Sequence, residues 1–191
     1  LPIFNPLLIS IAVVIVFLAV FDIDYQNYND GAKYLSYLLT PATVCLAIPL
    51  YEQMEALKKN IKAILAGILS GVLTSLTVVL ALALIFNLNH KMYVTLLPKS
   101  ITTAIGRAVT ITVAVIIITG VLGNMLAETL CKLFHIEEPI AKGISIGSAS
   151  HAIGTAKAME MGDVEGAMSS LSIAVAGILT VVGASIYAMF I

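Results

Sequence analysis

The sequence predicts an all-α polytopic membrane protein, and three observations lead there. Of its 191 residues, 60% are apolar and only 11% charged, against about half and a quarter in a soluble globular domain. The apolar residues gather in runs, and a helix needs roughly 20 such residues to cross the hydrocarbon core. Between the clean runs lie apolar stretches broken by Pro, Gly and hydroxyl residues. A soluble enzyme of this size would have no polar surface left once its core was filled. Nucleic-acid binding is excluded as well: the formal net charge is −1, and one Arg with nine scattered Lys forms no phosphate-tracking stripe. Cys45 and Cys131, both in apolar stretches, give neither a disulfide framework nor a CxxC metal pattern.

Taken in order, the first run is Pro6 to Phe21, which is short and closes at Asp22-Ile23-Asp24. Residues 22–33, with three Asp and one Lys, read as a polar loop. The second run, Leu35 to Tyr51, contains Pro41 and Pro49, each of which removes a helix hydrogen bond. The third, Ile64 to Leu88, is long and clean. A fourth patch, Met92 to Ile105, is only partly apolar and holds Pro98, Lys99, Ser100, Thr102 and Thr103. The fifth, Ala108 to Phe134, is long again. The sixth, Pro139 to Met161, is rich in Gly, Ser and Ala and too polar to face lipid. The last, Gly166 to Ile191, is a clean span. Four good spans thus alternate with three interrupted segments. Irregular backbone at membrane depth is tolerated only where protein buries it or water reaches it. Two readings follow: a transporter with discontinuous helices, or a tightly packed bundle whose helices contain Pro and Gly.

Lys58, Lys59 and Lys62 cluster between the second and third runs, which by the positive-inside rule puts residues 52–62 in the cytoplasm and 22–33 outside. No basic n-region or small-residue cleavage site marks a secretory signal. Leu1 opens almost directly into a span with no initiator Met, so the chain is expected to lack its true N-terminus.

The segment 143–159 carries the most information. Gly143, Gly147, Ser150, Gly154 and Ala158 recur at helical spacing, and a continuous helix would align them on one face for close helix contact. Ser145, Ser148, His151 and Thr155 would form a polar stripe beside it. That stripe suits a moving or ligand-lined helix; the plainer reading is a set of interhelical hydrogen bonds worth on the order of 1 kcal/mol each. Lys99 stands in an otherwise apolar region with Ser100, Thr102 and Thr103 beside it. A Lys there is costly and marks a functional pathway by default, and the hydroxyls together with helix-start N–H groups would hold an anion. The alternative is an interfacial Lys that snorkels to water.

Weaker features complete the survey. Gly67, Gly71 and Ser75 form a packing face on the third span, and Gly166, Ser170, Gly177, Thr180 and Ala184 one on the last. Glu128 is expected to pair with Lys132 one turn on. His90 and His135 read as solvated loop residues, Met159 and Met161 as packing, and Asp163 and Glu165 as acidic groups at the positive end of the last helix. There is no GxSxG, HExxH or Walker loop, and no partner Asp and Cys for His151. No catalytic residue, cofactor or metal site is therefore expected.

Several blocks together carry a family resemblance. They are Asn5-Pro6-Leu7-Leu8, then Pro41-Ala42-Thr43-Val44 through Ala47-Ile48-Pro49-Leu50-Tyr51, then Lys99-Ser100-Ile101-Thr102-Thr103. The strongest is Gly147-Ser148-Ala149-Ser150-His151-Ala152-Ile153-Gly154-Thr155-Ala156-Lys157-Ala158, continuing into Glu165-Gly166-Ala167-Met168-Ser169. In order and spacing these resemble the LrgB/CidB family, which includes YohK-type bacterial inner-membrane proteins and a plastidal glycolate/glycerate transporter. The likeness covers essentially the whole chain, residues 1–191, as one LrgB-like membrane domain. Members usually carry one more helix before the first block. They also have a longer stretch where Ala104-Ile105-Gly106-Arg107-Ala108 stands here, so a loop near residues 104–109 is expected to be absent.

The resemblance implies two roles. One is an antiholin-like restraint of murein hydrolase activity and autolysis beside a holin-like LrgA/CidA-type partner. The other is transport, since family members are linked to glycolate, glycerate and pyruvate. The residues favour a secondary transporter of small monocarboxylates, multi-pass in the bacterial plasma membrane, with the lysis regulator as the alternative. Lys99, Ser100, Thr102 and Thr103 would bind the carboxylate, and Ser148, Ser150, His151 and Thr155 the hydroxyl or keto end. Thr43 would complete the cavity, and His151, whose reference pKa lies near physiological pH, would couple a proton. An inverted-repeat architecture is expected by analogy. The lipid bilayer, a small carboxylate substrate, the holin-like protein and further copies of the chain are the expected partners.

Overall fold

A computed structural model describes residues 6–97 and 110–190. Among these, every regular element is a helix: α1 (Pro6–Val20), α2 (Tyr25–Ser36), α3 (Leu39–Cys45), α4 (Ala47–Glu52), α5 (Met54–Ile85), α6 (His90–Leu96), α7 (Thr110–Leu133), α8 (Pro139–Met161) and α9 (Asp163–Tyr187). The chain forms two compact units, residues 1–48 and 49–191.

In the first unit, α1 is apolar throughout and closes on Asp22, whose φ of 48° lets the Ile23 N–H reach back to the Leu18 carbonyl at 3.0 Å. The segment after it is not the expected loop. Asp24 accepts a hydrogen bond from the Gln26 N–H at 3.2 Å and so caps α2, which runs through most of the polar residues. Apolar periodicity missed this helix because its start signal is a side-chain acceptor. The two-proline run does break as expected. Pro41 and Pro49 each stand third in a short helix, α3 and α4, inside the first turn where no N–H is required.

The second unit begins in α4, and among its described residues three helices are long and apolar enough to cross a membrane: Met54–Ile85, Thr112–Leu133 and Asp163–Tyr187. The sequence suggested four such spans; the described part of the first is a shorter apolar helix, Ile9–Val20, and residues 1–5 lie outside the described residues. Helix α5 is interrupted at Asn60 (φ −114°, ψ 15°), whose side-chain amide donates to the Ala56 carbonyl at 3.0 Å. The interruption separates a charged opening turn from the span proper. Beyond it Ile64, Ile68, Val72, Leu76, Val79 and Ala83 form the buried stripe, while Leu65, Leu69 and Leu73 on another face are exposed. The buried stripe packs on Met168 and Ala176 of α9 and on fully buried Tyr93 of α6. Tyr93 donates its hydroxyl to the Tyr187 carbonyl at 2.7 Å, and Thr112 of α7 donates to the Thr95 carbonyl of α6 at 2.8 Å.

Among the described residues four non-glycine positions have positive φ, and three of them end helices. Asp22 closes α1, Asn87 closes α5 and His135 closes α7. In the last two the Leu88 N–H bonds the Ala83 carbonyl (2.9 Å) and the Ile136 N–H bonds the Cys131 carbonyl (2.8 Å), the reach-back that satisfies end carbonyls. The fourth, His151 (φ 53°, ψ −145°), stands in the middle of α8.

At that point α8 turns back on itself. Ile146 and Ala158 pack in one cluster with Ala127, although a straight helix would hold them about 18 Å apart at 1.5 Å per residue. The contacts with α9 reverse direction as well. Before His151, Gly143 lies against Glu165 and Met168, and Gly147 against Ser169 and Ser172, so the partner numbers rise together. After it, Thr155 bonds Ser169 and Met159 lies against Gly166, so they run opposite ways. Helix α8 is therefore a re-entrant hairpin of two half-helices, 139–150 and 152–161. This corrects the single small-residue face and single polar stripe drawn from a continuous helix. The small residues are still buried, because each half uses its own glycines to approach a neighbour.

Candidate functional site

The hairpin tip reaches the middle of the spans. Ser150 packs on Gly123, near the centre of α7, and Asn124 donates its side-chain amide to the Ile153 carbonyl at 2.8 Å. The first half-helix runs along α5, with Ile144 against Gly67 and Ser148 against Gly71; a Cβ added at Gly71 would sit 3.1 Å from the Ser148 hydroxyl. Absent side chains at these two glycines bring α8 close, and the hydroxyl residues beside them leave a gap.

That gap is a cavity of about 660 Å³ between α5 and the first half of α8, with Thr119 contributed by α7. From α5 it is lined by Asn60, Ser70, Thr74 and Ser75, and from α8 by Ser145, Ser148 and His151, with exposed Glu138 at the start of α8. His151 is 6% exposed. Its backbone makes the turn and the residue borders the cavity, so one residue both breaks the helix and lines the site. A non-glycine residue in this region of φ/ψ costs on the order of 1–3 kcal/mol, and such strain clusters at functional sites. Among the described residues no three His, Cys, Asp or Glu side chains converge as metal ligands.

Of the residues singled out in the sequence, Ser148 and His151 come together in this cavity. Ser150 and Thr155 do not line it. The turn at His151 sends Ser150 toward α7 and Thr155 toward α9, where Thr155 donates to the His151 carbonyl (2.9 Å) and meets the Ser169 hydroxyl (2.7 Å). Thr43 belongs to the first unit, and its side chain lies outside the described residues. Lys99, Ser100, Thr102 and Thr103 also lie outside them, as does the shortened stretch at 104–109.

Sequence reasoning passed over Asn60, Ser70, Thr74, Thr119 and Glu138. The signal for two of them was present: Ser70 and Thr74 each follow the Gly67/Gly71 pair at i+3, so the glycine face and a hydroxyl face are adjacent. Glu128 is a second correction. It pairs not with Lys132 but with Lys157 of the second half-helix, at 2.8 Å, and Lys157 also reaches Glu160 at 3.1 Å. The hairpin brings Lys157 back along α7, a partner that no linear spacing could reveal.

An all-helical membrane protein, with a polar cavity beside a broken re-entrant helix, is the class these features define. The chain belongs to the LrgB-like family, whose model matches residues 1–190. It is similar to the antiholin-like protein LrgB of Bacillus mycoides (strain KBAB4), of Bacillus cereus (strain B4264) and of Bacillus anthracis (strain CDC 684 / NRRL 3495). Each is 38% identical over 196 residues, covering 98% of this chain and 85% of the relative. No solved structure matches the chain.

Proposed function

We propose that the protein acts in the bacterial plasma membrane, as a multi-pass and non-enzymatic protein, in an antiholin-like role that restrains murein hydrolase activity and autolysis. The observation that carries this reading is the likeness to proteins named antiholin-like over 98% of the chain. It reverses the order of the two readings drawn from the residues, where transport came first. A holin-like LrgA/CidA-type membrane protein and further copies of the chain are the proposed partners. The test is expression of the full chain in a bacterium deleted for its own LrgB-like protein. Slower detergent-induced autolysis and weaker hydrolase bands in a zymogram are the expected result, and lysis curves identical to those of the empty vector would refute the role.

A second reading, transport of a small monocarboxylate such as pyruvate, glycolate or glycerate, draws support from one specific feature. The first half-helix of α8 and the turn at His151 border a polar cavity that reaches toward the middle of the spans, the place where transporters with broken helices bind their substrates. In this reading Ser148 and His151 contact the substrate, and Lys99 with its neighbouring hydroxyls holds the carboxylate. Uptake of labelled pyruvate and glycolate into proteoliposomes, with and without the holin-like partner, tests it. Uptake no faster than into empty liposomes for both acids would remove it.

A further inference from the structure

Four of the hydroxyls that line the cavity beside α8 offer hydrogen-bond acceptors where a carboxylate would need donors. Ser145 donates its hydroxyl to the Ala141 carbonyl (2.7 Å), Ser148 to the Ile144 carbonyl (2.7 Å), Ser70 to the Gly67 carbonyl (2.8 Å) and Thr119 to the Val115 carbonyl (2.8 Å). A carbonyl oxygen can only accept, and a hydroxyl has one hydrogen. Each of these four oxygens therefore has only lone pairs left to offer. Asn60 spends one of its two amide hydrogens on the Ala56 carbonyl and keeps its side-chain oxygen along with the other N–H.

Charge points the same way. The exposed carboxylate Glu138 lines the cavity, and among the described lining residues there is no Lys or Arg. The helix ends add to this. The lining contribution of α8 comes from the half before the turn and from His151, with nothing from residues 152–161. The first half-helix runs the length of the cavity, with Glu138, Ile140 and Ala141 at its N-terminal end and the carbonyl end near His151, so the negative end of the dipole favours a cation at the His151 end.

We propose that this cavity is a binding site for a small monovalent cation, either an alkali-metal ion or a protonated primary amine, held by hydroxyl and amide oxygens of α5, α7 and α8. The proposal goes beyond the antiholin-like reading, which assigns no ligand to the cavity, and stands or falls separately from the lysis assay; it competes with the transport reading at this same cavity, where a carboxylate held by Ser148 and His151 would show as a response to pyruvate.

The test uses the purified full chain in detergent, with thermal unfolding followed at constant ionic strength in choline chloride. Sodium, potassium and ethylammonium chlorides are titrated in turn, with choline pyruvate and glycerol as the anionic and neutral arms. A saturable rise in Tm with at least one of the three cations, and none with pyruvate or glycerol, is expected; which cation acts identifies the source. Ser148→Ala is expected to weaken the apparent affinity about tenfold, the loss of one hydrogen-bond acceptor to a charged ligand. Glu138→Gln, at an exposed position outside the packed core, should weaken it by a smaller factor of about three. Ser185→Ala removes a similarly back-bonded hydroxyl on α9, away from the cavity, and should change nothing. No saturable response to any cation, a response to pyruvate or glycerol in its place, or equal effects of Glu138→Gln and Ser185→Ala would overturn the proposal.

Discussion

If α8 truly reverses at His151, Gly should be preferred to Ala there, contrary to the order inside any regular helix. The comparison uses two variants, His151→Gly and His151→Ala. Both lose the buried imidazole, so that loss cancels when the two are compared with each other. At φ 53° and ψ −145° a residue with a Cβ bears a strain of about 1–3 kcal/mol that glycine escapes. In a continuous helix, Ala would instead be the better residue by about 1 kcal/mol. The two geometries therefore predict opposite signs, separated by about 2 kcal/mol or more. Equilibrium unfolding in mixed micelles with increasing SDS, followed by far-UV circular dichroism, measures the difference. Ala66→Gly, at an exposed site in regular α5, calibrates the ordinary preference in the same assay and should cost about 1 kcal/mol. A His151→Ala variant as stable as His151→Gly, or more stable, would show that the helix does not break there, and the hairpin would go with it.

The other predictions concern the contacts that hold the hairpin. Gly147→Ala should destabilise the protein by about 1–2 kcal/mol, because the new Cβ would stand 2.8 Å from the Ser169 Cα, a backbone atom that cannot yield. The same change at Gly177, where nothing lies within 4 Å, should stabilise it by about 0.5–1 kcal/mol; unfolding midpoints shifting in the same direction would contradict the packing. A double-mutant cycle with Glu128→Gln and Lys157→Met should give a coupling of only about 0.5–1 kcal/mol, since the Glu128 side chain is 47% exposed, and a coupling near zero would mean the pair does not form. Thr180 is fully buried and its hydroxyl has no hydrogen-bond partner, so Thr180→Val should be neutral or stabilising by up to about 1 kcal/mol, and a clear loss in the same unfolding assay would reveal a bond.

How much of this was legible in the sequence depends on the range of the interaction. The three long spans and the proline breaks at Pro41 and Pro49 are local facts of composition, and they appear where the sequence put them. Helix α2 was hidden because its start depends on the Asp24 carboxylate and one backbone N–H, while its residues are polar. The segment 143–158 was recognised as special, yet its shape was misjudged. Glycines and serines at spacings of three and four fit a straight helix as well as two half-helices. Only the shared cluster of Ile146 and Ala158 with Ala127 and the pairing of Glu128 with Lys157, far apart in sequence, distinguish the two. The same reversal explains why half of the proposed hydroxyl group, Ser148 with His151, shares a cavity while Ser150 and Thr155 do not. The α5 side of the cavity was hidden for a different reason: a hydroxyl in an apolar span looks like a packing residue until a second helix stops short of it.

The hairpin also changes how crossings are counted. A 23-residue segment such as α8 would ordinarily add one passage through the bilayer and flip everything after it. Its two halves instead cancel, so the end of α7 and the start of α9 share a side, as the contact of Gly143 with Glu165 requires. Because α5 runs alongside the first half-helix in the same direction, with Gly67 beside Ile144 and Gly71 beside Ser148, its opening turn belongs to that side too. Lys58, Lys59, Lys62, Lys132, Lys142 and Lys157 consequently gather at one pole of the second unit, with Lys91 at the other. A charge asymmetry invisible along the chain becomes, once parity is corrected, an orientation signal of six lysines against one among the described residues of this unit.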